Sequence, residues 1–243
     1  MKIEKMNKQL YTALSSELLT PVLIIQQNIQ ILKKHCNHPD SALADESFSF
    51  VENSIENILG FIENFHFLNT AAQKKMNLNP QWFSFQDLIL QVIEELRCLN
   101  LDTSRLKVTA LPHQHKVILD KYLINRILIN LLSNALKFSG KKVELNISIL
   151  KNMLTIQVRD YGIGIPNGQI TEIFNPFIRG ENASRISGTG IGLSIVASAV
   201  EMMDGTVTVQ SEPQKATEFQ VVIPYHHIRR INHRSSKNNI NSI

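Results

Sequence analysis

Asn130-Leu-Leu-Ser-Asn134-Ala-Leu-Lys137-Phe138 is the stretch that decides the fold. It closes an apolar helix predicted over residues 122–137, in which Ile127, Leu128, Leu131 and Leu132 define the buried face. Asn130 and Asn134 are four residues apart, so both amides project from one face, and Lys137 falls on the same side. Two amide oxygens beside an ammonium suit a hydrated Mg²⁺ and the phosphates it bridges. Alone, the row fits the wet face of any surface helix equally well; the motifs further along the chain tip the balance.

Asp160-Tyr-Gly162-Ile-Gly164 follows a predicted strand. Its glycines let backbone approach a ligand, and a carboxylate there can accept a hydrogen bond from an exocyclic amine. A plain strand-terminal turn also uses Asp-x-Gly. Phe174-Asn-Pro176-Phe177 comes next, then Gly188-Thr189-Gly190-Ile-Gly192-Leu193, which opens a helix predicted over residues 192–203. Glycine-rich backbone feeding a helix N-terminus is an anion cradle. The polar stretch 175–187 carries Arg179 and Arg185 and reads as a lid over phosphates.

Around these motifs, elements alternate. A helix is predicted over 86–99, starting near Ser84 or Phe85, and strands over 106–110, 115–119, 143–150, 153–160, 206–211 and 218–223. Gly205 is the expected C-cap of the 192–203 helix. Helices on one side of a mixed, mostly antiparallel sheet make an α+β two-layer sandwich. Upstream, residues 5–36 read as one helix, with Leu10, Leu14, Leu18, Ile25, Ile29 and Leu32 forming a stripe and Pro21 bending it. Turn formers occupy 37–45. Phe48, Val51, Ile55, Ile58, Ile62 and Phe65 then step 3-4-3-4-3, a heptad seam that needs a partner. Two such helices form a hairpin, and two hairpins form a four-helix bundle, so a homodimer is expected. The other arrangement buries the seam against the first helix and the second domain. The aperiodic stretch 74–83, with Pro80, is the expected linker.

The 243 residues are 43% apolar and 19% charged, as in ordinary folded proteins. No apolar run is long enough to span a membrane. Cys36 and Cys98 have neither paired spacing nor histidine neighbours, so neither a disulfide nor a metal site is expected. The net charge of +4 is concentrated in residues 226–243, where Arg229, Arg230, Arg234 and Lys237 meet no acid; a solvated tail is expected there, without nucleic-acid binding.

Taken together and in order, the four motifs resemble the N, G1, F and G2 boxes of the histidine-kinase ATP-binding domain, shared with gyrase and related ATPases. The resemblance implies an ATP-binding catalytic domain over 84–225. It assigns Mg²⁺ to Asn134, the phosphates to Asn130 and Lys137, and the adenine amine to Asp160. Gly162, Gly164, Gly188, Gly190 and Gly192 would shape pocket and lid, with Phe138, Phe177, Arg179, Arg185, Thr189 and Leu193 around them. Gyrase-type relatives carry a water-activating glutamate where this chain has Asn130, which favours phosphoryl transfer over plain hydrolysis.

Residues 1–73 resemble the family's dimerisation and phosphotransfer hairpin, whose signature is Ser-His-Glu-Leu-Arg-Thr-Pro-Leu. This chain reads Ser15-Ser16-Glu17-Leu18-Leu19-Thr20-Pro21-Val22. Ser16 therefore stands at the phosphoacceptor position. A hydroxyl is a weaker nucleophile than imidazole without an adjacent base, and a shorter reach. Histidine autophosphorylation should be absent there. Glu17 and Thr20 remain, and in the family this pair also supports dephosphorylation of a response regulator's receiver domain. The resemblance implies a cytoplasmic two-component kinase core, its input coming from another protein or a segment outside this sequence. The alternatives are a non-catalytic ATP-sensing scaffold dimer and an active kinase carrying a His-to-Ser variant.

Overall fold

The computed structural model describes residues 18–33, 41–73, 75–112, 115–180, 186 and 188–225. Residues 18–33 are helical (α1), and Ser41–Ala72 form α2. The turn expected over 37–45 is thus overtaken by α2, which starts at Ser41. The 226–243 tail lies outside the described residues.

α2 buries Ser47, Ser54, Phe61 and Phe67. Most of the expected seam faces away: Phe48 is 55% exposed, Ile55 44%, Ile62 51% and Phe65 37%. Among the described residues, nothing covers these four side chains, while Val51 and Ile58 of the same row are half-buried. Two serines among the inward positions allow close approach, while the bulky row is left outside.

Downstream, the order is β1 (Pro80–Ser84), α3 (Phe85–Cys98), β2 (Leu106–Thr109), β3 (Lys116–Asp120), α4 (Lys121–Phe138), β4 (Val143–Leu150), β5 (Met153–Asp160), α5 (Gly192–Met202), β6 (Thr206–Glu212) and β7 (Ala216–Pro224). Five strands form one mixed sheet in the order β2-β4-β5-β7-β6, parallel only between β2 and β4. Alternation along β7 buries Thr217, Phe219, Val221 and Ile223 on the face that α4 and α5 cover. Leu131, Leu132, Ile195 and Val196 meet that face and are fully enclosed.

Pro80–Ser84, read as mostly linker, is a strand that pairs antiparallel with β3, from Pro80 opposite Asp120 to Ser84 opposite Lys116. Proline is tolerated as a strand's first residue. Ser84 then caps α3, its Oγ accepting from the Gln86 amide at 3.2 Å. At the end of α5 the left-handed residue is Asp204 (φ 54°), not the expected Gly205. Gly205 closes the turn through its amide, which donates to the Val200 carbonyl at 2.9 Å. Glycine is required because a Cβ would stand 2.7 Å from the Val222 carbonyl oxygen.

Candidate functional site: a cavity between α4 and the start of α5

α4 is the floor of the site, held at both ends. Asp120 caps its start: one carboxylate oxygen accepts from the Leu123 amide at 3.1 Å, the other from the Asn79 amide at 2.8 Å. At the other end the Arg105 guanidinium donates to the carbonyls of Leu136 (3.1 Å), Ser139 and Lys141 (3.3 Å), with Asp102 paired at 3.0 Å. The Leu136 carbonyl is one that a helix C-terminus leaves orphaned, and a cation is favoured there. The turn carrying Lys137 and Phe138 is thereby fixed.

Asn130, Asn134, Lys137 and Phe138 all line one cavity of about 690 Å³. Lys137 keeps much of its surface exposed, yet the overlying chain strips enough water to pull its ammonium below its ordinary value. The Asn130 amide nitrogen donates to the Arg126 carbonyl at 2.7 Å, leaving its oxygen toward α5. A Cβ on Gly192 would come 2.8 Å from that oxygen, so a side chain there would push the Asn130 amide aside.

Asp160 lines the cavity near the Phe138 end of α4 and is 5% exposed. Burial pushes its carboxyl up to about 6, against the pull of the Gly162 amide donating at 2.9 Å. Gly162 itself sits behind the wall. Its Cβ would fall 2.1 Å from the Phe138 carbonyl oxygen, which accepts from the Ile163 amide at 3.2 Å. Gly164 reaches the lining with φ 68°.

Gly188, Thr189, Gly190, Gly192 and Leu193 form the far wall with Arg179. No side chain among the described residues caps α5, so its opening amides remain available to an anion. Phe177 stays out of the lining but shapes it. Held at φ 65°, unusual for a bulky residue, it donates its amide to the Gly190 carbonyl at 2.9 Å. Thr20 of α1 lines the same cavity and is exposed. Ser16, Glu17 and Arg185 lie outside the described residues.

Two groups were not anticipated. Thr217 is buried in the lining and pairs with Asp160 across the β5–β7 ladder. Its hydroxyl is 2.9 Å from that of Ser211, which accepts from the Ile165 amide at 2.8 Å. The strand predicted from Glu218 begins one residue too late to include it. Arg126, one turn before Asn130, also borders the cavity.

The lining suits a nucleotide: a buried carboxylate, side-chain amides, a lysine and the N-terminus of a helix face one cavity. For Mg²⁺ the available protein donors are amide oxygens. Among the described residues no group of three histidines, cysteines or carboxylates could hold a metal, so the ion would depend on Asn134 and the ligand's own phosphates.

Comparison with known proteins agrees. Residues 119–227 match the family described as histidine kinase-, DNA gyrase B-, and HSP90-like ATPase. Over 222 residues, 87% of this chain, it is 31% identical to the autoinducer 2 sensor kinase/phosphatase LuxQ of Vibrio vulnificus (strain CMCP6), of which it covers 26%. The chain thus spans about a quarter of that relative's length. Among solved structures, the histidine kinase AdeS of Acinetobacter baumannii shares the fold with a TM-score of 0.66 at 22% identity, over 86% of this chain and 98% of that one. Full-length ShkA, in complex with AMPPNP, gives 0.63 at 18% identity, over 90% and 46%. Residues 119–227 are therefore a histidine kinase-, DNA gyrase B-, and HSP90-like ATPase domain, and the relatives of this chain are sensor histidine kinases.

Proposed function

We propose that the chain is the cytoplasmic core of a two-component sensor kinase, that it binds ATP with Mg²⁺, and that it does not phosphorylate itself at the acceptor position. The supporting observation is that the amide row of α4, Asp160, the glycine-rich entry to α5 and Thr20 of α1 meet in one cavity. Asp160 and Thr217 hold the base. Asn130, Asn134, Lys137 and the α5 amides hold the phosphates. Bound Mg²⁺ would offset phosphate charge and polarise the terminal phosphoryl group.

The transfer step is where this chain's sequence departs from the family signature. Ser16 offers a hydroxyl, a weaker nucleophile near neutral pH than the imidazole of the family signature, so it is a poor acceptor. Glu17 and Thr20 are three residues apart, the spacing that puts two side chains on one face wherever a helix is continuous. They suit the reverse reaction, in which a water is placed for attack on a receiver domain's phosphoaspartate. LuxQ is named a kinase/phosphatase, which supports carrying both directions in one such core. The exposed row Phe48, Ile55, Ile62 and Phe65 supports a homodimer, because a second copy would cover it. No helix among the described residues is long and apolar enough to cross a membrane.

Incubation with γ-labelled ATP tests this reading. The chain as it stands is expected to acquire no acid-labile phosphate, and Ser16→His to acquire it. Acid-labile label on the unaltered chain would overturn the assignment of Ser16. Receiver domains charged with acetyl phosphate should lose phosphate faster in its presence, and not with Thr20→Ala. If neither protein accelerates that loss, an ATP-sensing scaffold is the better reading.

A further inference from the structure

Asn130, Asn134 and Phe138 form one edge of α4, and Arg126 continues it by one more turn. At 1.5 Å per residue, Phe138 to Asn130 covers about 12 Å, and Arg126 lies about 6 Å further on. The base end of the cavity is fixed by Asp160, whose neighbour Gly162 abuts the Phe138 carbonyl. On the proposed reading the phosphate end is where Gly192, at the start of α5, comes against the Asn130 amide. Arg126 therefore stands just beyond the position of the phosphates, on the wall of the same cavity.

Its present partners are unusual for a guanidinium. Arg126 donates to the Asn64 amide oxygen of α2 and lies over two rings, 5.2 Å from the centre of Phe67 and 5.8 Å from that of Tyr122. Its Nε is enclosed and has no hydrogen-bond partner, and among the described residues it makes no ion pair. Such a cation is held by a neutral oxygen and ring faces but not neutralised. An anion arriving within reach would compete for it strongly, since a phosphate oxygen adds full charge–charge attraction and bidentate geometry where the neutral Asn64 oxygen offers only a dipole.

We propose that Arg126 reads the terminal phosphate of the bound nucleotide, and that it does so by leaving Asn64. The residue that distinguishes tri- from diphosphate is then the same one that fastens α4 to α2. Occupancy by the triphosphate loosens the ATP-binding domain from the helix, and the diphosphate leaves the fastening in place. This rests on the nucleotide reading of the cavity.

Calorimetry on the full chain with MgATP and MgADP tests it. Arg126→Gln should weaken MgATP about tenfold and leave MgADP within about twofold, the loss of one charge-assisted contact. Asn64→Ala frees the guanidinium and should tighten MgATP a few-fold without moving MgADP. An Arg126→Gln protein that loses both nucleotides equally, or neither, would overturn the proposal; so would an Asn64→Ala protein with unchanged MgATP affinity. Failure of the unaltered chain to bind either nucleotide would remove the nucleotide reading itself, and this proposal with it.

Discussion

Asp160→Asn is expected to bind MgATP at least about tenfold more weakly, the loss of a charge-assisted hydrogen bond in a buried site. The ligand-free variant should melt higher than the parent. Both follow from the enclosure of Asp160, whose carboxyl titrates near 6 because burial disfavours its charge. The folded chain thus holds a proton at Asp160 between about pH 4 and 6 that the unfolded chain releases. Stability from this group is complete below about pH 4 and is lost as pH rises through about 6. The loss is on the order of 2–3 kcal/mol. Asparagine has no charge to desolvate and escapes it. Nucleotide affinity runs the other way, rising as the carboxylate forms and levelling off above about pH 7. Calorimetric titration and melting curves at pH 5 and 8 check both slopes. Equal MgATP affinity in parent and Asp160→Asn would remove Asp160 from base recognition.

Gly162→Ala should have the larger effect. A methyl group there must displace the Phe138 backbone carbonyl, which would lie 2.1 Å away, so no side-chain rotation relieves the clash. Moving that carbonyl breaks its bond from Ile163 and disturbs the turn that carries Lys137. A stability loss of about 2–3 kcal/mol is expected for such overpacking, and MgATP binding should fall below detection. Gly168→Ala is the control, because nothing lies within 4 Å of the added atom. A Gly162→Ala protein that melts and binds like the parent would show that the contact between these two loops does not matter.

The site's inner residues are legible in the sequence because their chemistry repeats at helical spacing. Asn130, Asn134 and Lys137 share a face by arithmetic, and the structure brings them into one cavity. Strands 143–150 and 153–160 are readable from alternation on either side of Lys151-Asn152, both of which take positive φ at the turn. The misses have physical causes. β1 is a strand that begins with proline and pairs only with β3, and its Trp82 is 58% exposed, so neither length nor alternation announces it. Thr217 is one hydroxyl near a strand's start, and only its pairing with Asp160 brings it to the cavity. Arg126 looks like any surface cation until Asn64 and Phe67, about 60 positions earlier, are seen to enclose it. The heptad row is visible, but which face of α2 the chain buries is not. That choice depends on packing around Phe61 and Phe67.

Whether this cavity takes a magnesium-bound nucleotide is answered by calorimetric titration of the unaltered, folded chain with MgATP. Saturable heat with one site per chain, abolished when Asn134 is replaced by alanine or magnesium is chelated, is the expected result. A cooperatively folded protein that gives no heat with MgATP, MgADP or a non-hydrolysable analogue would contradict it.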